Sequence, residues 1–375
     1  MDARYIPLLL HQTTGEALTI PTDWISLTYV KRVCGLGWWE LELPGDFAVG
    51  QERRFLDWRL VVWRIPSGGR EYIDLAGFVR RVERTYSGGE SRLRLSGPDY
   101  NEILARRIIA YFAGTAQARK GTADQADDMM KAFVRENLGA LATDTTRSIA
   151  AYGFTVEADY SAGTSLRKSA AWNRLDETLR QVYEASQKTA STATFYGVVP
   201  IGTGYDMEFR TRAGQWGQDH RYPDGPDGAV VFSIERGNLD RVTQVYDATD
   251  EVTDVYACGE GQLENRLSGS VYDATRRAAS VLNRREAAYE NGGIADASTL
   301  ADEAQEELEA GAPVESFSAD LLDVEGCSYG EHWDFGDQVT AIWLGENIDA
   351  HIATIEVGVD SESGETVTGR LATWP

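Results

Sequence analysis

Tyr72-Ile73-Asp74-Leu75-Ala76-Gly77-Phe78-Val79-Arg80-Arg81-Val82-Glu83-Arg84-Thr85-Tyr86 is rich in strand-forming residues with partial apolar–polar alternation, breaks at Ser87-Gly88-Gly89, and resumes as the alternating Ser91-Arg92-Leu93-Arg94-Leu95. Period-two alternation marks strands, and the Ser-Gly-Gly break supplies turn chemistry, so residues 72–86 and 91–95 read as consecutive strands. Upstream, the same pattern recurs at 17–20, 25–33, 38–43 and 58–64, with turns at Pro44-Gly45-Asp46 and Ser67-Gly68-Gly69. Strands at this spacing suggest a small barrel or sandwich, since closure removes exposed edges. Downstream, residues 99–110 read as a short closing helix with Ile103, Leu104 and Ile108 on one side.

The middle changes character. Ala126, Met129, Met130, Phe133, Val134 and Leu138 recur at helical spacing over 123–138, and Leu166, Ala170, Leu175, Leu179, Val182 and Tyr183 do so over 164–187. Strands follow at 193–200, 205–210 and 229–234, with an exposed Gly- and Pro-rich loop at 213–228. The last third reads as strands at 241–246, 251–258, 314–324, 339–344, 351–359 and 365–372, with hairpin signals at 344–347 and 361–364 and a polar helix at 297–310. The expectation is an α+β, predominantly β chain with two β-barrel-like domains and helical and α+β insert regions. Its divisions are a β-barrel-like domain at 1–112, an α+β domain at 113–240, and an acidic β-barrel-like domain with a helical insert at 241–375.

The 375 residues are 42% hydrophobic, enough for several cores. No apolar run reaches the roughly 18 residues of a membrane helix, and the N-terminal run is too short for a secretory signal. Cys34, Cys258 and Cys327 are odd in number and far apart, which argues against a disulfide framework. Residues 1–250 carry 30 basic and 33 acidic groups and residues 251–375 carry 6 and 26, balances of −3 and −20. Specific nucleic-acid binding needs a basic stripe, which is missing here, whereas an acidic surface repels nucleic acid passing nearby.

Constellations that could carry chemistry are weak. Cys327 and His332 are five residues apart with no nucleophile motif around them, so a thiol-hydrolase reading is set against a plain loop. Glu331, His332, Asp334 and Asp337 lack the alternating pattern and terminal Glu of a calcium loop and read as a turn. Gly202 and Gly204 precede a strand, not the helix a phosphate loop needs, and read as a hairpin turn. No metal site, cofactor or catalytic residue is expected. Trp58 and Trp63 fall on opposite faces of one alternating strand, so one of them is expected outside its domain core, as an anchor against another subunit.

Residues 58–65, Ala76-Gly77-Phe78-Val79-Arg80-Arg81-Val82-Glu83, Leu93-Arg94-Leu95-Ser96-Gly97-Pro98-Asp99-Tyr100 and Leu104-Ala105-Arg106-Arg107 together resemble the hub or baseplate proteins of siphophage tails. That family is also similar to the N-terminal part of tail-associated lysins and to the central hub of contractile baseplates. The resemblance continues through Phe232-Ser233-Ile234-Glu235-Arg236-Gly237-Asn238-Leu239, Asn283-Arg284-Arg285-Glu286, Tyr329, Trp333 and Gly336-Asp337-Gln338-Val339-Thr340. It implies a homotrimer whose six similar barrels match a sixfold tail ring, around an axial passage for DNA and tape-measure protein. The chain is then a structural, non-enzymatic subunit of the virion tail tip, assembled in the host cytoplasm. It would join distal tail or tail-tube ring proteins to a central fibre or spike. The chain stops after the second barrel-like region, so a hub with its own lytic domain is not expected. Alternatives from other classes are a cell-wall hydrolase and a receptor-binding protein. On this reading Glu303, Glu306, Glu307 and Glu309 are the candidate channel-facing acids.

Overall fold

The computed structural model describes residues 3–17, 22–45, 55–66, 68–111, 123–187, 193–223, 225–360 and 364–373. The first third contains strands β1 (Arg4–Leu10), β2 (Ser26–Arg32), β3 (Trp38–Pro44), β4 (Arg59–Ile65), β5 (Tyr72–Phe78), β6 (Arg81–Ser87) and β7 (Glu90–Pro98), then helix α1 (Glu102–Ala105). The middle adds β8 (Ala123–Gln125), α2 (Ala126–Asn137), β9 (Phe154–Val156), β10 (Ser165–Arg167), α3 (Leu175–Ser186), β11 (Thr194–Ile201), β12 (Asp206–Ala213) and β13 (Val231–Ser233). The remainder is β14 (Leu239–Asp247), β15 (Asp254–Cys258), β16 (Ser268–Tyr272), α4 (Ala274–Ala278), β17 (Glu286–Glu290), α5 (Ala297–Ala310), β18 (Val314–Leu322), β19 (Gln338–Trp343), β20 (Glu346–Asp360) and β21 (Gly364–Thr373). The chain is thus α+β and predominantly β.

The two ends of the chain meet in one sheet of order β14-β18-β21-β20-β2-β3-β7-β6, to which β19 and β13 are attached through β20. β20 is 15 residues long. Its first half pairs with β19 and its second half with β2, while its other edge pairs with β21. Tyr29 lies opposite Trp39, Leu27 opposite Leu41, and Leu41 opposite Leu95, and all five are buried. Cross-strand apolar pairs of this kind hold the register.

A second antiparallel sheet has the order β1-β4-β5. The expected single strand 72–86 is divided between the two sheets. Val79 N–H donates to the Trp58 carbonyl (2.8 Å) and Arg80 N–H to the Ser96 carbonyl (2.9 Å), so the chain changes sheet between them. The sheets approach so closely here that a Cβ on Gly97 would lie 1.9 Å from the Phe78 carbonyl oxygen. Helices α2 and α3 share a core with the β11-β12-β9 sheet, formed by Met129, Phe133, Leu179, Val182 and Phe209.

Two helices are shorter than expected, for one reason. Residues 107–109 and 172–174 are non-helical and are held against each other: Ile109 N–H donates to Asn173 O (2.9 Å) and Leu175 N–H to Arg107 O (2.9 Å). The helix expected at 99–110 therefore ends at Ala105, and the one expected at 164–187 begins at Leu175.

Residues 1–242 with 318–375 form one compact unit and residues 243–317 another. The division expected at 112 has no counterpart in this grouping, and residues 318–375 return to the first unit because β20 pairs with β2. In the second unit, Leu300, Ala304 and Leu308 of α5 share a core with Val255 and Ala257 of the β16-β15-β17 sheet. Asp296 caps the start of α5 by accepting from Thr299 N–H (2.8 Å), and Arg276 donates to the carbonyls of Leu308 (2.9 Å) and Gly311 (3.1 Å) at its end.

Candidate functional site

The first unit holds a half-open cavity of about 610 Å³ where segments from all three parts of the chain converge. On one side Asp74, an inward residue of β5, accepts from Lys31 Nζ (2.7 Å), Tyr329 O–H (2.6 Å) and Tyr29 O–H. Burial alone would raise the Asp74 carboxyl, but Lys31 and the two hydroxyls outweigh it and hold it below the ordinary value. Next to this pair, Arg64 of β4 donates to Glu365 (2.8 Å), to the Tyr5 hydroxyl (2.8 Å) and to the Tyr329 carbonyl (2.9 Å). Residues from β1, β2, β4, β5, β21 and the loop before β19 are thereby tied together by charge-assisted bonds.

Other lining carboxyls are in the reverse state. Asp99 accepts from the Asn101 amide N–H (3.1 Å) and from Asn101 Nδ2 (3.2 Å), yet burial outweighs these bonds and pushes it up to about 7. Asp337 accepts from Gln218 N–H (2.7 Å) and Asp334 N–H (2.6 Å), and burial raises both Asp337 and Asp334. His220 Nε2 lies 3.6 Å from Asp337. The cavity can take up protons near neutral pH, and its polar groups point at one another.

Cys327 and His332 do not form a catalytic pair. The Cys327 thiol, raised by burial, accepts from Asn238 Nδ2 (3.5 Å), and His332 Nδ1 accepts from the Ser328 amide (3.0 Å). A thiolate nucleophile needs the opposite environment. Glu331 accepts from Gly68 N–H (2.8 Å) and Asp337 turns back on Asp334 and Gln218, so the acidic cluster diverges. Among the described residues no group of His, Cys, Asp and Glu could hold a metal ion. Gly202 and Gly204, at φ +60° and +91°, form the turn of the β11–β12 hairpin.

The alternation argument for Trp58 and Trp63 assumed a strand with one covered face. β4 is the middle strand of its sheet and Arg59 to Val62 are all buried, so both faces are covered. Trp58 is 6% exposed and packs edge-on against His11 and Phe55, which removes it as an anchor for another subunit. Trp63 is half-buried against the core of the first unit. On α5, Glu306, Glu307 and Glu309 are exposed and Glu303 is half-buried, accepting from the Tyr289 hydroxyl (2.8 Å). Asp74, Asp99 and Arg64 were not singled out as site residues. An Asp inside an apolar strand, as in Ile73-Asp74-Leu75, is the local signal that could have pointed to the first.

Comparison with known proteins agrees with this architecture. A tail protein from Neisseria meningitidis MC58 is similar at 14% identity and TM-score 0.54, covering 99% of this chain and 98% of that one. The 43 kDa tail protein of prophage MuSo2 from Shewanella oneidensis is similar at 14% identity and TM-score 0.53, covering 98% of each chain. A chain of the lidded Francisella PdpA-VgrG complex is similar at 6% identity and TM-score 0.52, covering 99% of this chain and 52% of that one. None of the curated proteins matches. Among the described residues no helix is long and apolar enough to cross a membrane. The family model described as siphovirus ReqiPepy6 Gp37-like protein matches residues 10–370, so the chain belongs to that family.

Proposed function

We propose that the protein is a hub subunit of the tail tip, acting as a homotrimer whose ring joins the tail-tube or distal tail proteins to a central fibre or spike. The observation that carries this reading is the family match over residues 10–370 together with the whole-length likeness to two tail proteins. The buried charge network supports it physically. Lys31–Asp74 and Arg64–Glu365 bind distant parts of the chain together, as suits a rigid ring element that carries load without reacting.

The ring surrounds the exit channel for DNA and tape-measure protein. The exposed acids of α5, Glu306, Glu307 and Glu309 with Glu303 beside them, face that channel, where they repel the DNA polyanion and let it pass without being held. Trp63 and its surroundings contact a neighbouring subunit. The protein is assembled in the host cytoplasm and resides in the virion tail tip. A reconstruction of intact tail tips tests the reading by the number of copies of this fold around the axis. Threefold placement with α5 on the inner wall supports it, and α5 pointing outward removes the channel assignment.

A further inference from the structure

In a protein of net charge −23 an arginine without a carboxylate partner stands out. Among the described residues Arg107 has no such partner. Burial, then the charges of Arg147 and Arg106, push its guanidinium below the ordinary value, and its buried Nε has no hydrogen-bond partner among the described residues. Arg106 is already held by Asp57 and Glu102. Arg147 donates to Asn137 Oδ1 (3.0 Å) and to the Ile108 carbonyl, and the nearest acid it senses is Asp144 at the surface. Arg147 is thus held by a backbone carbonyl and an amide oxygen next to the Arg107–Ile108 segment, where its charge opposes that of Arg107.

Beside them lies an aromatic and aliphatic surface. The segment 172–175 bonds to 107–109: Ile108 bridges Arg174 and Trp172 N–H donates to the Ile109 carbonyl (2.6 Å), which brings Trp172 beside the 107–109 segment. Ile108 is 44% exposed and Trp172 57%. The backbone of Trp172 sits at φ +66°, a conformation costly for a bulky residue and one that clusters at binding sites. Trp and Arg are also the residue types that dominate association energies.

We propose that the surface formed by Arg107, Ile108, Arg147 and Trp172 receives a carboxylate-bearing segment of a second copy of this chain. Guanidinium pairs match the planar geometry of a carboxylate, and the adjacent Ile108 and Trp172 seat an apolar side chain next to it. Charge complementarity selects the occupant: residues 251–375 of a second copy bring a balance of −20, whereas a nucleic-acid strand would meet the repulsion of the whole chain. This inference rests on the reading that the protein assembles with copies of itself.

The test uses assembled tails carrying Trp172→p-benzoylphenylalanine. Irradiation yields an adduct of two 41.4 kDa chains, mapping to an acidic segment of the second copy, and adding Arg107→Glu lowers its yield at least tenfold. An adduct formed solely with another protein or with nucleic acid, no adduct in tails that contain the chain, or a yield indifferent to Arg107→Glu overturns the proposal. Trp172→Gly separates assembly from folding. It relieves the positive φ, so the melting temperature holds or rises while incorporation into tails falls, and normal incorporation counts against the proposal. Copy number is counted in the same tails. Three copies without a self-adduct defeat this inference alone, and a self-adduct at another copy number defeats the trimer reading alone.

Discussion

Asp99 illustrates what burial does to a single residue. Its carboxyl moves from an ordinary 3.8 to about 7, so between those values the folded state holds a proton that the unfolded chain has released. The stabilisation this proton contributes is fully present below about pH 4 and is lost as pH rises through 7. Asp334 and Asp337, also raised, act in the same direction. Thermal or denaturant stability should therefore fall between about pH 4 and 7, and Asp99→Asn should flatten that slope by up to about 1.4 kcal/mol per pH unit. An unchanged slope would remove Asp99 from the account. Asp74 behaves oppositely: it stays ionised because Lys31 compensates its burial. Asp74→Asn leaves Lys31 facing a neutral amide and should cost about 3–5 kcal/mol in urea denaturation, against under about 1 kcal/mol if the pair were merely decorative. Neither state was legible in the sequence. Alternation placed residue 74 on a face of its strand, but whether a second layer covered that face depended on Tyr329, which lies far away in the chain.

Elements were legible where their signals were local. The hairpin of β6 and β7 follows from Ser87-Gly88-Gly89, where Gly88 and Gly89 adopt φ +64° and +92°. The α5 stripe of Leu300, Ala304 and Leu308 is the buried one. The α2 stripe also holds, although Lys131 on the same helix is fully buried, bonded to the Ala158 carbonyl (2.6 Å) and placed over the Tyr160 ring. A helical wheel assigns such a lysine to solvent. Short elements of the second unit, β16, β17 and α4, escaped because a few exposed alternating residues carry no hydrophobic pattern. The bounds of α5 are those expected, 297–310, but the cap on its C-terminal end was hidden, since Arg276 reaches it from a separate helix. Removing that cap by Arg276→Ala should destabilise the unit formed by residues 243–317 by about 1–2 kcal/mol, comparable to the loss of an N-cap. Hydrogen exchange at the amides of α5 reads this directly, and unchanged protection would show that the helix end satisfies itself.

At the scale of the whole molecule, strand patterning recovered the fold class but not the connectivity. Period two tells which face of β2 is buried and nothing about which strand lies beside it. That partner is β20, more than three hundred residues later, and the pairing draws residues 318–375 back into the unit that begins the chain. The tail-protein resemblance supplied what patterning could not, through short motifs distributed along the chain, and the family match over residues 10–370 agrees with it. The uneven charge then acquires a proposed purpose. With a screening length of about 8 Å at physiological salt, the α5 carboxylates influence DNA only if they line the wall it passes. Everything at this scale depends on the ring. The most direct test is a symmetry-free reconstruction of the intact tail tip that counts this chain. The account predicts three copies around the axis; a fivefold or sixfold ring, or a single axial copy, would contradict it.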